Sequence, residues 1–407
     1  MLCLVKGRSS LRFPVLLATI SLFLLGGGCV RLWPGAETGA LFQSRQQSAS
    51  LRAVQVDLDY VWDSDPRQED KNLQLLLARV QKLGVNTVFL QAYADPDGND
   101  GAEELYFPSR YLPMRGDLFA RAAAAIRAMG IKVYAWMPLL AFSPAFQHRE
   151  LLVKQLPSSP QRFADAKRAP RLSPFHPEAR RVIRAIYKEL ADHAVFDGIL
   201  FHDDSVLADD EDSSPAAMAV YRQAGFPNSL EEIRASKPLR QRWSRFKTRY
   251  VMDFSLSLVA MLRFRYPELR SARAIYGRAI LEPKSEQWLC QSLPLFLQAY
   301  DFSVVLAMPY LEKAPDPAHW LAALADRALV QTLRPETLVF ELQSMDWWRK
   351  KTVATPVMVH QFKILQEHGI VSFAYYPDDF FHDHPQASLL RQVMTRGAVQ
   401  HGGGRFR

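Results

Sequence analysis

Carboxylates at the ends of apolar runs are the residues of this chain best suited to chemistry. The clearest case is Phe196-Asp-Gly-Ile-Leu-Phe-His-Asp-Asp204, in which a buried-type strand runs into His202, Asp203 and Asp204. A charged group at the end of a core strand is costly to desolvate unless it has a partner or a task. The arrangement recurs: Asp57 and Asp59 close the run Ala53 to Tyr60, Glu341 ends Thr337 to Leu342, and Asp378 with Asp379 follow Ser372 to Pro377. Adjacent strand residues point to opposite faces, so Asp203 and Asp204 can share a site only if the strand ends between them. Asp57 and Asp59 are two apart and are expected on one face.

Short β-branched and aromatic runs predict strands at 53–60, 86–93, 131–140, 197–203, 270–276, 301–308, 336–342 and 370–376. Helical periodicity predicts helices near 68–83, 117–129, 177–193, 240–266, 285–298, 316–330, 354–368 and 386–395. Eight βα units give the count of a TIM-type (β/α)8 barrel in the α/β class. A doubly wound open sheet is the competing arrangement, but no strand is followed by a Gly-rich phosphate loop. In a barrel the strand ends converge on one mouth, and here they carry the acids.

Aromatic residues sit at the same ends. Trp136, Tyr276 and Tyr376 end strands, while Tyr310, Trp347 and Trp348 follow them. Core packing is the simpler reading for Trp348 and Tyr375. Taken together, aromatic planes and carboxylates suit a carbohydrate, whose rings offer C–H faces for stacking and hydroxyls for hydrogen bonds. Insertions at 94–116, 141–176 and 205–239 fall after strands and would raise walls over the mouth, which suits a polymer. Within the first, Asp95 to Gly101 fails as an EF-hand because Asp100 stands where Gly is needed and Tyr106 where Glu is needed; a tight Asp/Gly turn is expected.

Ahead of the barrel, Lys6, Arg8 and Arg12 precede an apolar run from Phe13 to Leu25 and the small-residue site Gly26-Gly-Gly-Cys29. This pattern reads as a bacterial lipoprotein signal over 1–28, with Cys29 lipidated and residues 29–51 as a tether; a retained membrane helix is the alternative. The barrel is expected over 52–395 with a tail at 396–407. Cys3 would leave with the leader, so Cys290 stands alone, read as a small core residue in mid-helix. The formal charge of +8 becomes about +5 without the leader, and no nucleic-acid motif accompanies it. The run Arg234 to Arg249 is read as a solvated helix face, and Asp210 and Asp212 as a solvated acidic loop.

Several segments resemble the C-terminal domain of PgaB-type proteins, which process the biofilm polysaccharide poly-β-1,6-N-acetyl-D-glucosamine. They are Val54 to Tyr60, Leu90 to Gly98, Tyr134 to Pro138, Arg171 to Phe175, Phe196 to Asp204, Ala307 to Glu312 and Tyr375 to Asp379, in the same order and spacing. The resemblance covers about 52–390. It implies a glycoside hydrolase barrel acting on the partly de-N-acetylated polymer. No cofactor or metal is expected, and the leader, with Val30 after Cys29, points to the periplasmic side of the cell envelope at the outer membrane, with polysaccharide export machinery as an expected partner. The resemblance also matches Asp209 to a family aspartate with a direct catalytic role. The catalytic candidates are therefore Asp203, Asp204 and Asp209, and the substrate-binding candidates Asp57, Asp59, Trp136, His202, Tyr276, Tyr310, Glu341, Trp347, Tyr376 and Asp378.

Departures from the family pattern bear on activity. Ala274 stands where the family often has Asn, and Phe142-Ser-Pro-Ala-Phe146 where acids are common. The tether leads directly into the barrel, so deacetylation is not expected of this chain. Two other readings remain open: a polymer-binding export module, and a metal-dependent deacetylase using His202, Asp203, His382 and His384.

Overall fold

Strand-forming side chains that alternate between a barrel interior and a helical jacket are buried on both faces, and each predicted run becomes such a strand. The computed structural model describes residues 50–142, 148–156 and 169–396. The leader, Cys29, most of the tether and the tail lie outside the described residues. The barrel strands are β1 Ala53–Val56, β2 Thr87–Gln91, β3 Lys132–Met137, β4 Gly198–Phe201, β5 Arg270–Tyr276, β6 Phe302–Ala307, β7 Leu338–Gln343 and β8 Ser372–Tyr376. They pair in parallel in chain order. A parallel bridge between Arg52 and Phe373 brings β8 back to β1, with the Phe373 amide donating to the Leu51 carbonyl at 2.8 Å. Gly198 opens β4 because a Cβ there would stand 2.3 Å from the Tyr134 ring.

The jacket consists of α1 Pro66–Leu83, α2 Phe119–Ala128, α3 Pro177–His193, α4 Lys237–Arg265, α5 Leu293–Ala299, α6 Pro317–Leu329, α7 Thr355–Glu367 and α8 Ala387–Arg396. A cap followed by proline in the first turn starts several of them. Asp65, His176, Ser236 and Asp316 accept from amides of the first turn, where proline leaves no amide to waste.

Four local expectations are corrected. The first strand stops at Val56, and Leu58–Tyr60 form a 3-10 turn, so Asp57 and Asp59 do not share a strand face. The helix expected at 285–298 is broken into Glu286–Leu289 and α5. Cys290 lies at that break with φ 56°, buried as expected but not in mid-helix. The run 234–249 is not simply a solvated face, since Trp243, Ser244, Lys247 and Thr248 are buried.

Parts of the first two insertions reach the strand ends, where Gly98, Asn99 and Asp100 line a cleft and Ala141, Ala169 and Arg171 a recess beside it. The first makes a small antiparallel ribbon, Tyr93–Ala94 with Glu104–Leu105. Its tip is the expected turn: Asp95 accepts from the Asn99 and Asp100 amides at 2.9 Å each, and Gly98 takes φ +69°. The third carries the helices Pro215–Gln223 and Leu230–Ala235. Among the described residues no helix is long and apolar enough to cross a membrane.

Candidate active site

The strand ends surround a cleft of about 470 Å³. Gln55 from β1, Trp136 from β3, His202 and Asp203 after β4, Ala274 and Tyr276 from β5, and Glu341 from β7 form its interior. Ala274 and Tyr276 are two apart and share the inward face, as do Leu306 and Met308. Asn99 and Asp100 of the first insertion, with Trp347, Trp348 and Tyr376, complete the walls. A recess of about 30 Å³ continues past Asp203 to Asp204 and Arg171.

Glu341 is the most unusual of the acids. It is 1% exposed, and its Oε1 is buried with no hydrogen-bond partner among the described residues. Burial, reinforced by the negative charge of Asp203, pushes its carboxyl up to about 8. Asp57 is likewise pushed up to about 8, first by burial and then by Asp59, although Tyr376 Oη reaches its Oδ1 at 3.3 Å. Both are carboxylic acids at neutral pH. Asp203 pairs with His202 instead, Oδ1 to Nε2 at 3.1 Å. The His202 ring stands 5.3 Å from that of Trp136, and His202 Nδ1 and Trp136 Nε1 are also buried without partners among the described residues. Such orphaned polar atoms in one cleft mark where a ligand's hydroxyls and amines would be recognised.

The aromatic wall adjoins Trp136, whose ring stands 5.6 Å from that of Tyr376. Trp347 stacks on Tyr376 with centroids 6.1 Å apart and planes at 29°. Trp348 is 57% exposed and lines the cleft, which corrects the expectation that it packs in the core. Its Nε1 donates to the Leu311 carbonyl, and Lys313 Nζ sits 3.6 Å over its ring. Tyr375 is fully buried, as its core reading required.

Other expected site residues are engaged elsewhere. Asp204 borders the recess but accepts three amides, from Leu139, Leu140 and Ala141, at 2.9, 2.5 and 2.7 Å, and so pins the chain after β3. Asp59 accepts from Tyr106 Oη, Gln91 Nε2 and the Asp95 amide and holds the first insertion. Asp378 is buried against Arg79 of α1 at 2.7 Å and accepts Tyr375 Oη at 2.6 Å, so it ties α1 to the chain after β8 and does not line the cleft. Tyr310 is half-buried and not among the cleft-lining residues, its amide donating to Gln343 Oε1 at 2.9 Å; its neighbour Leu311 lines the cleft instead.

Asp209 is buried in the loop 205–212, 3.9 Å from Arg234, and is not among the cleft-lining residues. That loop is not solvated either. Asp210 and Asp212 are buried, and Asp212 accepts from the Lys154 and Ser214 amides and from the Ser173 and Ser214 hydroxyls. Lys247 of α4 enters beneath it, fully buried, with Nζ donating to the carbonyls of Leu207, Ala208 and Glu211. Arg171 spans to the Val206 carbonyl and to Glu211 Oε1.

Gln55, Asn99, Asp100, Trp348 and Arg171 were not among the expected site residues. Gln55 had a signal, a lone amide inside the apolar run Ala53 to Val56 and two positions before Asp57. His382 pairs with Asp379, and His384 reaches the Ser344 carbonyl. Among the described residues no group of three or more His, Cys, Asp or Glu is arranged to hold a metal.

Known proteins match this description. Residues 55–376 fit the family described as hypothetical glycosyl hydrolase family 13, GHL13. The solved glycoside hydrolase domain of PgaB (BpsB) from Bordetella bronchiseptica is 43% identical, with a TM-score of 0.81, covering 85% of this chain and 99% of that one. The poly-β-1,6-N-acetyl-D-glucosamine N-deacetylase of Escherichia coli K12 is 38% identical over 356 residues, 85% of this chain and 52% of its own. The chain thus spans about half the length of that curated relative. A β-galactosidase from Rahnella sp. R3, 12% identical with a TM-score of 0.59 over 87% of this chain and 56% of its own, shares the fold.

Proposed function

Because the chain belongs to glycosyl hydrolase family GHL13, and is a glycoside hydrolase related to the PgaB-type proteins, we propose that it cleaves partly de-N-acetylated poly-β-1,6-N-acetyl-D-glucosamine. One observation carries the reading: the protonated Glu341 and the His202-paired Asp203 face one cleft with an aromatic wall. Glycoside cleavage needs a carboxyl that gives its proton to the leaving oxygen and a second group that stabilises or attacks the anomeric carbon. Glu341 suits the first role and Asp203 the second. The glycosidic C–O bond breaks as the leaving oxygen takes the acid's proton, and water adds to the anomeric carbon while giving up one proton that restores the acid, so both sugars depart with hydroxyls. Asp204 supports this from behind by fixing residues 139–141. Asp209 serves through the loop that Lys247 holds. Amines on the polymer favour a cleft lined by the carboxylates of Asp100 and Asp203.

The test offers fully acetylated and partly deacetylated β-1,6-glucosamine oligomers side by side, with products followed by mass spectrometry. Cleavage of the partly deacetylated oligomer is expected. Faster cleavage of the fully acetylated one overturns the substrate assignment, and binding of both without cleavage favours a polymer-export module. Location follows from the leader: we place the protein on the periplasmic side of the envelope, held at the outer membrane through Cys29 near the export machinery. Cys29→Ser is expected to move it from the membrane fraction to the soluble envelope fraction.

A further inference from the structure

At the end of the barrel opposite the mouth, a chain of contacts joins the segments that lead into the strands. Asn86 Nδ2 donates to the Ser50 carbonyl, the Lys132 amide to the Asn86 carbonyl, Lys132 Nζ to Asp197 and the Arg270 amide to the Asp197 carbonyl. Asp301, which precedes β6, pairs with Arg270 at 3.5 Å, and Ser372 Oγ accepts the Leu51 amide and donates to the Glu336 carbonyl. These segments therefore share one face. Among the described residues the three most exposed large apolar side chains all belong to it: Leu333 and Val330, between α6 and β7, and Phe264, in the last turn of α4, are 101%, 80% and 95% exposed. Val195 is exposed next to the Ala194 carbonyl that accepts Tyr266 Oη, two residues from Phe264. Ala128 and Gly130, on either side of the exposed Met129, line a hollow of about 380 Å³ with Arg127, Lys132 and Asp197. Single exposed leucines need no explanation, but the most exposed apolar residues gathered on one face do.

The charges near β3 to β6 on this face favour an anionic cover. Asp192, Asp197 and Asp301 are each shared by two cations, Lys188 with Arg265, Arg127 with Lys132, and Arg263 with Arg270, which leaves a positive excess even after the exposed Glu268. The described chain also begins here, at Ser50, so only residues 30–49 separate this face from Cys29.

We propose that this face lies against an anionic phospholipid surface, with Phe264, Val330 and Leu333 entering the headgroup region, so that the mouth at the other end of the barrel opens away from the membrane. The inference rests on the lipid-anchor reading of Cys29 and deepens it. A tether alone leaves a domain free to turn, whereas apolar contacts and charge attraction add a second membrane signal and fix its orientation. With the mouth turned outward, a polymer reaches Glu341 and Asp203 without passing between protein and lipid.

The test uses the full chain and vesicles of phosphatidylethanolamine with phosphatidylglycerol, read by amide hydrogen exchange with and without the vesicles. Slowed exchange is expected over 129–132, 195–197, 263–270 and 330–336, with unchanged exchange at Trp347 and Trp348 of the mouth. Phe264→Ser with Leu333→Ser, at positions that carry no packing, is expected to lower that protection about tenfold with Tm unchanged. Vesicles of phosphatidylcholine alone, or raised salt, should lower it as well. Protection at the mouth, or no protection in vesicle-bound protein, overturns the proposal. So does protection of the same segments without lipid as protein concentration rises, which assigns the face to a second copy. If Cys29→Ser leaves membrane association in cells unchanged, the lipid-anchor reading fails alone, and the exchange pattern still decides the orientation.

Discussion

Two regions of the same barrel end bury carboxylates in opposite ways. On the β1/β7 side, Asp57 and Glu341 are buried with few or no donors, and both are held protonated at neutral pH. On the β4 side, Asp204 and Asp212 are given three and four donors and serve as ties. A carboxylate whose lone pairs are filled by amides is spent on architecture. One buried without partners lowers stability and is explained by what it does to a ligand. The difference separates the acids of this mouth by task better than their closeness in sequence does.

The largest expected effect breaks the contrast on its reactive side. Glu341→Gln removes the transferable proton at nearly constant volume, and kcat on the partly deacetylated oligomer should fall by about 10³-fold, with circular dichroism and oligomer affinity preserved. A variant that keeps full turnover would remove Glu341 from the chemistry.

On the tying side the expected loss is of stability. Asp212→Ala strands the Lys154 and Ser214 amides and two hydroxyls, and Asp378→Asn leaves Arg79 in a buried site with a weakened partner. Each should lower unfolding free energy by about 3 kcal/mol, read by denaturant titration. A loss of turnover without a loss of stability in Asp212→Ala would place that residue in the reacting site instead.

A smaller effect separates the two groups by pH. Asp57 and Glu341 have folded-state values near 8 against ordinary values of 3.8 and 4.5, so the folded protein holds their protons when the unfolded chain has released them. Their contribution is fully favourable below about pH 4 and is lost as pH rises through about 8. Asp57→Asn and Glu341→Gln should each flatten that decline and raise the neutral-pH Tm by a few degrees, whereas Asp204→Asn should not raise it. Turnover should fall above about pH 8 as Glu341 loses the proton it donates.

The smallest effect concerns the wall. Trp348→Ala removes an exposed platform whose indole is already oriented by Leu311 and Lys313, and oligomer affinity should fall about fivefold with Tm unchanged. An unchanged affinity would confine the aromatic contribution to Trp347 and Tyr376.

The barrel was legible because period and burial coincide. Strand β5 and helix α3 lie at the residues expected, since Arg270 to Tyr276 and Pro177 to His193 each carry one unbroken pattern with clear ends. The break at Cys290 was missed because Glu286 to Ala299 keeps apolar residues at near-helical spacing; left-handed Cys290 and extended Ser292 divide it, and Ser292 followed by Pro294 was the helix-start signal that could have found it. At the site, the sequence reveals that acids lie at strand ends but not which donors the loops bring to them. Asp203 and Asp204 are neighbours, yet one meets His202 and the other three amides from residues 139–141, a long-range pairing that no local pattern encodes. Asp378 likewise meets an arginine almost three hundred positions away.

Lys247 carries one consequence further. Its ammonium sits among three backbone carbonyls of the loop 205–212 and 3.7 Å over the Trp243 ring, a setting of oxygens that elsewhere in protein chemistry receives a dissociable cation. Here the positive centre is covalently part of α4, so it cannot be chelated, exchanged or diluted away. Assembly of the acid loop is then a unimolecular event, and the occupancy of its positive centre does not depend on a free cation in the compartment in which the enzyme works.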